Sequence, residues 1–432
     1  MARRLNSADA TFEKDFAELL TLKREVSPDV DAVVRDIIAA VRAEGDDALL
    51  RYTEKFDRFK VGKAAGLAIT QEEVAAAKAA CNPQSLKALD LAAERIEAYH
   101  KRQMPKAERY TDEAGVTLGW RWTSIDAVGL YVPGGLAAYP SSVLMNAIPA
   151  LVAGAQRLVM VVPTPDGQLN PLVLAAADRA GVTEIYRVGG AQAVAALAYG
   201  TDTIVPVDKI VGPGNAYVAA AKRQVFGQVG IDSIAGPSEI LVLADGENNP
   251  DWIATDLLSQ AEHDSSAQSI LISDDPAFAD AVAVAADRLI AESPRSEITK
   301  AAWTDNSALI TVSNLDEGVA LINRAAPEHL ELAVTDPEAL LHGIRHAGAI
   351  FMGRYTPEAI GDYVAGPDHV LPTARASRFS AGLSVLDFIK RTSLMGCTPE
   401  ALAAIGPAAV QLADEEGLWA HARSIRVRLD DA

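Results

Sequence analysis

Two adjacent residues, Glu328 and His329, are the first pair in this chain whose types could do acid–base chemistry. They stand just before an apolar segment that we expect to be a strand. An imidazole with an ordinary pKa near ~6.5 exchanges protons at neutral pH, and a neighbouring carboxyl group can share the transfer. An exposed polar pair is the alternative for such a dipeptide.

Gln260 and His263 form a second candidate, near the end of an amphipathic helix expected over residues 251–264. Their spacing of three puts both side chains on one helical face. Glu262 and Asp264 flank the histidine, so the segment predicts either a metal site or an ordinary polar helix end. From the residues alone both interpretations remain open.

The remaining histidines give weaker patterns. His342 and His346 are one helical turn apart but lack the glutamate of a H-E-x-x-H zinc site, which favours a solvated helix face. We expect His100, in a charged helix, and His421, near the C-terminus, to be surface residues. The polar Gly- and Pro-rich stretch from Gly361 to Thr373 is a loop of the kind in which functional residues concentrate.

Glycine clusters mark the ends of several expected strands and are candidate walls of a ligand site, because open α/β sheets bind ligands at the carboxyl ends of their strands. They lie at residues 133–135, 189–190, 212–215 and 236–238. No G-x-G-x-x-G motif occurs; Tyr217 stands where the third glycine of the 212 cluster would be. Tight turns alone would also explain these glycines.

The elements that would position these residues alternate along the chain. Helical periodicity dominates residues 1–120, as in 30–42 and 85–96. Short apolar runs follow and predict strands over 128–132, 158–162, 184–188, 240–243, 269–272, 308–312 and 349–352, with helices over 143–155, 171–180 and 191–199. This alternation predicts an α/β protein with two Rossmann-like, doubly wound parallel sheets and small helical N- and C-terminal segments.

Composition limits the function classes. The chain has 432 residues and a net charge of −19, which argues against nucleic acid and anionic membrane surfaces as partners. No signal peptide or membrane-spanning apolar run is apparent. Cys81 and Cys397 are far apart, so we expect neither a disulfide nor a cysteine zinc site. These features predict a soluble, cytoplasmic protein.

Many segments, taken in order from about residue 25 to the C-terminus, resemble the histidinol dehydrogenase family. They read VGLYVPGG (128–135), AAYPSSVLMNAIPA (137–150), YRVGGAQAVAALAYGT (186–201), KIVGPGNAYVAAAKRQV (209–225), AGPSEILV (235–242), LLSQAEHD (257–264), PEHLEL (327–332), YTPEAIGDYVAGPDHVLPT (355–373) and FSAGLSVLDFIKRTS (379–393). The number and order of these matches make the resemblance far more specific than any single motif.

The resemblance implies site residues, each at a matching position of this sequence. Zinc, one ion per subunit, would be held by Gln260, His263, Asp362 and His421. Glu328 and His329 would be catalytic, and NAD would contact Tyr131, Gln192 and Asn215. The substrate would be surrounded by Ser238, Gln260, His263, Glu328, His329, Asp362, Glu416 and His421. The family is homodimeric with active sites shared across the interface, which implies the same here.

The resemblance also implies how the chain divides into domains. We expect an N-terminal helical tail (1–24), a first α/β domain carrying zinc and catalytic residues (25–130 and 238–368), a second, NAD-binding α/β domain (131–237 and 369–383), and a C-terminal helical dimerisation segment (384–432). Two positions depart from the family pattern: Asp368, where asparagine is usual, and Leu136, where a small or polar residue is usual.

The implied reaction is the oxidation of L-histidinol through L-histidinaldehyde to L-histidine, with two NAD⁺ reduced. A paralogue that oxidises another small alcohol, such as a sulfonated diol, would share most of these residues; the presence of both Glu416 and His421 favours histidinol. A zinc hydrolase would use the same metal ligands to activate water, but the NAD-matching residues argue against it. The intact catalytic positions argue against a non-catalytic binding protein.

Overall fold

The computed structural model describes residues 2–21, 28–134, 139–234 and 236–430. Leu136 lies outside these ranges. The strands are β1 (Arg3–Asn6), β2 (Glu108–Thr111), β3 (Thr117–Ser124), β4 (Ala127–Tyr131), β5 (Arg157–Val161), β6 (Glu184–Tyr186), β7 (Lys209–Val211), β8 (Gly230–Ile231), β9 (Glu239–Ala244), β10 (Gln268–Ser273), β11 (Ala308–Thr311), β12 (His329–Ala333), β13 (Ala349–Met352) and β14 (Ile389–Gly396).

The helices connect and cover these strands. They are α1 (Phe12–Thr21), α2 (Pro28–Glu44), α3 (Asp46–Asp57), α4 (Gln71–Ala80), α5 (Pro83–Gln103), α6 (Pro140–Ala153), α7 (Pro171–Arg179), α8 (Gly190–Tyr199), α9 (Ala216–Val225), α10 (Pro250–Ala261), α11 (Pro276–Glu292), α12 (Ser296–Asn306), α13 (Leu315–Ala325), α14 (Pro337–Leu341), α15 (Glu358–Tyr363), α16 (Pro399–Glu415) and α17 (Trp419–Asp430). Short 3-10 turns lie at Ala64–Leu67, Pro165–Gly167, Ala376–Arg378 and Val385–Phe388.

Two parallel sheets form the frame, which confirms the expected fold class. The larger has six strands in the order β1-β11-β10-β9-β12-β13, and the smaller has five in the order β6-β5-β4-β7-β8. Counted from β9 and from β4, both follow the order 3-2-1-4-5, with β1 added at one edge of the larger sheet. This is the strand order of a Rossmann-like unit.

Local sequence explains why these elements form. The central strands are apolar on both faces, as in Glu239–Ala244, where every residue after the first is buried. Helices on both sides of a parallel sheet require that pattern. Helix starts combine an asparagine cap with proline in the first turn: the Oδ1 of Asn249 accepts from the backbone N–H of Asp251 at 2.9 Å, and Pro250 follows the cap.

The segment before residue 25 differs from the expected helical tail. Residues 3–6 form β1, which pairs in parallel with β11 and so extends the six-stranded sheet. Helix α1 follows, and Phe16 and Leu19 are buried with core residues of that sheet, including Leu243 and Ile310. The strand has a polar, half-exposed pattern, and for that reason no apolar periodicity marks it in the sequence.

The helices between residues 28 and 103 also differ from expectation. The expected domains place them with the catalytic residues of 238–368, but they cover the five-stranded sheet. Val34 and Leu49 share a core with Ile210, while Val74 and Ile96 share another with Leu130. Helical periodicity predicts the face that a helix buries but not the sheet against which it is buried, so the sequence could not settle this grouping.

The C-terminal segment is not wholly helical as expected. Strand β14 precedes its two helices and pairs antiparallel with β3, which also pairs with β2, giving a separate three-stranded sheet. Helices α16 and α17 then pack against each other. From Lys390 to Gly396 the strand is exposed, so the segment projects apolar side chains such as Met395 (78% exposed) to solvent.

His100, expected at the surface, is fully buried. Residues 89, 93, 96 and 100 recur at helical spacing on the buried face of α5, so the charged neighbours of His100 lie on the opposite face. Its Nδ1 lies 2.8 Å from the carbonyl oxygen of Ile96. Both cysteines are free thiols, Cys81 half-buried and Cys397 exposed. Within the described ranges no helix is both long enough and apolar enough to cross a membrane.

Replacing Phe16 by alanine tests whether the N-terminal segment is integral to the six-stranded sheet. Phe16 is fully buried, and removing such a ring typically costs about 3–5 kcal/mol of the free energy of unfolding. We expect a clear fall in Tm in thermal unfolding. The control Val284→Ala removes a side chain that is 72% exposed and should change stability by less than about 0.5 kcal/mol. Equal stability of the two variants would contradict the docking of α1.

Candidate active site

A cleft of about 900 Å³ collects most of the residues singled out in the sequence. Nine of the eleven predicted site residues line it, and they come from distant segments of the chain: Tyr131, Gln192, Asn215, Ser238, Gln260, His263, Glu328, His329 and Asp362. Glu416 and His421 do not line it. Both are exposed on the C-terminal helical segment.

The two sheets present opposite ends to this cleft. On the five-stranded sheet the contributing loops follow β4 and β7, at the carboxyl ends of parallel strands, as open α/β sheets usually place ligands. On the six-stranded sheet the residues lie at the amino ends: Ser238 precedes β9, and His329 begins β12, opposite Ile240. Gln260 and His263 reach the same edge because α10 runs back from the far end of β9.

His329 is held in one tautomer. Its Nδ1 lies 2.9 Å from the backbone carbonyl oxygen of Glu239, to which only a protonated Nδ1 can donate. That leaves Nε2 with a lone pair, and Nε2 has no hydrogen-bond partner within the described residues. Burial lowers the pKa of His329, an effect partly opposed by Asp362. The ring is therefore neutral at pH 7 and available to accept a proton at Nε2.

Glu328 lies behind this imidazole. It is 6% exposed, and its Oε2 accepts a hydrogen bond of 2.9 Å from the backbone N–H of Glu239. The same oxygen lies 3.7 Å from Nδ1 of His329. Burial raises the pKa of Glu328 well above its ordinary value, which makes its carboxylate a stronger base.

More carboxyl groups crowd the other side of the ring. Oε1 of Glu358 lies 3.6 Å from Nε2 of His329, and Oδ1 of Asp362 lies 3.9 Å from it. Burial raises the pKa of Glu358 to about 8, with a further contribution from Asp362. Within the described residues, ligand atoms of His329, Glu358 and Asp362 lie within 4.8 Å of one another. Such a cluster is favourable only when a proton or a cation compensates its charge.

The residues around this cluster fit a divalent cation with nitrogen and oxygen ligands. Gln260 is 1% exposed and its Oε1 has no hydrogen-bond partner in the described part of the chain, so a buried amide oxygen is free to coordinate. His263 and Asp362 line the cleft with it. No thiol takes part, and the donor set is compatible with zinc. Of the clustered residues His329, Glu358 and Asp362, only Asp362 is also one of the predicted zinc ligands.

The other wall of the cleft carries the residues predicted to contact NAD. The hydroxyl of Tyr131 accepts from the backbone N–H of Gly190 at 3.0 Å, and burial raises the pKa of Tyr131 to about 12. Gln192 is buried with Oε1 unpartnered among the described residues. Oδ1 of Asn215 caps α9 by accepting from the N–H groups of Tyr217 and Val218, so only its amide nitrogen remains for a ligand.

A glycine is required at position 212 of this wall. Its φ is +113°, and a Cβ there would lie 2.1 Å from the carbonyl oxygen of Tyr131. The N–H of Gly212 donates to Asp232 at 2.7 Å, and its carbonyl accepts from Lys222 at 3.0 Å. Lys222 and Asp232 are themselves a buried ion pair. Gly212 therefore lets the backbone at this position lie closer to the carbonyl oxygen of Tyr131 than a residue with a side chain could.

Sequence reasoning missed one functional candidate, Glu358; it singled out the loop that carries His369 but assigned this histidine no catalytic or ligand role. His369 lines the cleft, with Nδ1 3.0 Å from the backbone oxygen of Asp362 and Nε2 3.3 Å from the hydroxyl of Ser142. Its neighbour Asp368, one of the two departures, is buried and lies 4.0 Å from His100. The spacing of four between Glu358 and Asp362 on one short helix was the signal that could have identified Glu358.

Comparisons with known proteins identify the family of this chain. The family model described as histidinol dehydrogenase matches residues 21–429. Histidinol dehydrogenase of Mesorhizobium japonicum is 63% identical over 430 residues, covering 100% of both chains. That of Ruegeria pomeroyi is 64% identical over 430 residues, covering 100% of this chain and 99% of its own. The crystal structure of histidinol dehydrogenase from Elizabethkingia anophelis superposes with a TM-score of 0.94 at 34% identity, covering 100% of this chain and 98% of its own.

The fold is that of an α/β protein with a cleft between two Rossmann-like sheets, and in this cleft a neutral histidine lies among buried carboxyl groups. The matches extend over nearly the whole chain and include its site segments. The chain belongs to the histidinol dehydrogenase family, a family of oxidoreductases.

Glu358→Gln tests the electrostatics of the acidic cluster in metal-free protein. A carboxyl group whose pKa rises from 4.5 to about 8 on folding keeps its proton in the folded state while the unfolded chain loses it. Stability is then greatest below pH 4.5 and falls as the pH rises towards 8. We expect the parent protein to lose Tm between pH 5 and pH 8, and Glu358→Gln to lose less.

The exposed Glu338→Gln variant is the matched control, and it should follow the parent at every pH. An unchanged pH dependence of Tm in Glu358→Gln would contradict the assigned pKa shift. Thermal unfolding monitored by circular dichroism, in chelator-treated samples, provides the measurement.

Proposed function

We propose that this protein oxidises L-histidinol to L-histidine through L-histidinaldehyde, in two NAD-dependent steps at a zinc site, and so acts last in histidine biosynthesis. The observation that carries the proposal is the convergence of nine matched residues on one cleft between the sheets. The near-complete overlap with relatives named histidinol dehydrogenase supports it.

Zinc would be held by Gln260, His263 and Asp362 of one subunit, with the partner subunit's His421 as the fourth ligand. When bound, zinc supplies positive charge that orients the substrate and stabilises developing negative charge, and NAD accepts hydride. The unpartnered amide oxygen of Gln260 and the crowded carboxyl groups support this assignment.

In the first oxidation, His329 acts as the base. Its Nε2 accepts the hydroxyl proton of L-histidinol. The carbon that bears this hydroxyl would face the opposite wall, where Tyr131, Gln192 and Asn215 would hold NAD to supply the hydride acceptor. The hydrogen bond from Nδ1 to the Glu239 carbonyl holds the ring in the required tautomer. The lowered pKa keeps the ring neutral before each turnover.

In the second oxidation, Glu328 activates water that adds to the aldehyde. The Glu328–His329 pair then takes a hydroxyl proton from the hydrate, and a second NAD held at the opposite wall would supply the hydride acceptor. Removal of this proton and this hydride leaves the carboxylic acid of L-histidine, which gives its remaining proton to water and becomes the carboxylate. The raised pKa of Glu328 makes it a stronger base than an exposed glutamate. Retention of the reactive aldehyde between the steps is consistent with a site between two walls.

The C-terminal segment supports a homodimer with shared sites. Glu416 and His421 match substrate and zinc positions of the family, yet neither lines the cleft of its own chain. The same segment exposes large apolar side chains, including Leu412 (65%) and Trp419 (72%). Patches of this kind mark protein–protein contacts. A second subunit would therefore cover the segment and receive His421 in its own cleft.

A substrate panel tests the proposed activity against a different alcohol specificity and against hydrolysis. NADH formation, followed by its absorbance, should be fastest with L-histidinol and about 100-fold or more slower with other amino alcohols or a sulfonated diol, because buried polar groups left unpaired by the wrong substrate reduce its turnover. A preference for the sulfonated diol would identify a paralogue with another substrate. Hydrolysis without NADH would indicate a zinc hydrolase instead.

Glu328→Gln should separate the two oxidations. Glutamine keeps the acceptor for the Glu239 N–H but cannot take a proton from water. We expect oxidation of supplied L-histidinaldehyde to fall by about 100-fold or more, and aldehyde formation from L-histidinol to fall much less. His329→Asn, the comparison variant, should impair both steps. Equal losses at the two steps in Glu328→Gln would remove the role given to Glu328.

Mixing two inactive variants tests the sharing of His421. His263→Ala and His421→Ala each remove one ligand from every site, so both homodimers should be nearly inactive. In a mixed dimer with shared sites, one site carries both lesions and the other carries neither. Co-refolding should therefore restore up to half of the parent activity per mixed dimer. If mixed dimers form and no activity returns, His421 serves its own chain.

A further inference from the structure

Asp57 is a buried acid that lines the cleft, and the proposed mechanism gives it no role. It ends α3, lines the cleft and is only 7% exposed. Its Oδ2 has no hydrogen-bond partner in the described part of the chain. Burial raises the pKa of Asp57, with partial offset from the Thr164 backbone and from Arg58. A carboxyl group in this state gains from a ligand that donates hydrogen bonds.

The position of Asp57 in the fold indicates which ligand group it would bind. The five-stranded sheet has the Rossmann-like order, in which β4 is the first strand and β5 the second. In dinucleotide-binding folds an acid about 20 residues beyond the first strand's glycine turn, near the end of the second strand, binds a ribose 2′-hydroxyl. Here Thr164 follows β5, and Asp57 reaches this place from α3, a separate segment of the chain.

The neighbouring wall suits the rest of an adenosine. Val33, Ile37 and Phe56 line the same cleft, and Phe56 is 44% exposed. Apolar and aromatic side chains with one convergent polar group are typical of a site for a flat ring bearing a polar substituent. An adenine ring on these side chains would bring its ribose towards Asp57.

The charges nearby disfavour a phosphate on that ribose. In NADP sites a nearby arginine accommodates the 2′-phosphate. Arg58 is not among the described residues that line this cleft, and it pairs with Asp166 through hydrogen bonds of 2.8 and 2.6 Å. Lys55, whose ammonium lies 5.2 Å from the ring centre of Phe56, also lines the cleft. It is exposed, whereas the carboxyl group of Asp57 is buried and would meet a phosphate as a like charge.

We infer that Asp57 binds the 2′-hydroxyl of the adenosine ribose and repels a 2′-phosphate, so that the cleft selects NAD over NADP. The inference deepens the proposed NAD-dependent function and rests on it. Asp57 is thus a specificity-determining residue supplied by a helix that precedes the whole dinucleotide-binding sheet in sequence.

Direct binding tests this inference. Fluorescence titrations of the full protein with NADH and with NADPH, each with zinc present and without substrate, give the two dissociation constants. We expect the parent to prefer NADH by about 100-fold or more, since like charges at such a site cost several kcal/mol. Asp57→Asn should weaken NADH about tenfold and reduce the preference at least tenfold. Asp47→Asn, an exposed acid on the same helix, should leave both constants unchanged.

A second variant and a kinetic measurement complete the test. Asp57→Ser removes the charge with a smaller side chain and should reduce the preference even if Asp57→Asn folds poorly, and kcat/KM for NAD⁺ against NADP⁺ with L-histidinol should follow the binding ratio. An unchanged preference in folded Asp57 variants, or a parent that prefers NADPH, overturns the role of Asp57 alone. Failure of the parent to bind or use either dinucleotide overturns the proposed NAD-dependent function as well.

Discussion

Charge compensation at His329 is the constraint on which the rest of the site depends. Glu328 and Glu358 are buried on two sides of one neutral imidazole, and Asp362 lies 3.9 Å from its Nε2. Burying several carboxyl groups together is unfavourable unless protons or a cation reduce their charge. The pKa of Glu328 and that of Glu358 are raised for this reason. Because of these raised pKa values, the buried carboxyl groups bind protons in the metal-free protein. The same negative charge favours binding of a divalent cation in the pocket.

The two sheets make this arrangement possible because they face the cleft with opposite ends. The amino ends of β9 and β12 bring backbone donors and acceptors of Glu239 to Glu328 and His329. The carboxyl ends of β4 and β7 supply glycine-bounded loops that a dinucleotide can approach closely. Glu328 and His329 therefore lie on one wall and the residues proposed to hold NAD lie on the other, so a substrate between them would meet both.

Sequence patterns predicted the two parallel sheets and most of their strands, and the family motifs named most of the residues that line the cleft, because apolar periodicity and motifs are local. They failed where an outcome depends on distant packing. Nothing local shows that α2 to α5 cover the five-stranded sheet, or that residues 3–6 extend the other. The prediction for His100 was wrong because its charged neighbours masked the apolar spacing around it. Glu358 was missed because its importance comes from contact with His329, which is 29 positions away in the chain.

Proton release on metal binding tests the central claim most directly. Zn²⁺ is titrated into metal-free protein at pH 7 by calorimetry in two buffers that differ in ionisation enthalpy, which gives both the stoichiometry and the number of protons released. If the cation replaces protons held by the buried carboxyl groups, one Zn²⁺ should bind per chain with release of about one proton or more. Binding without proton release, or no binding, would contradict the account.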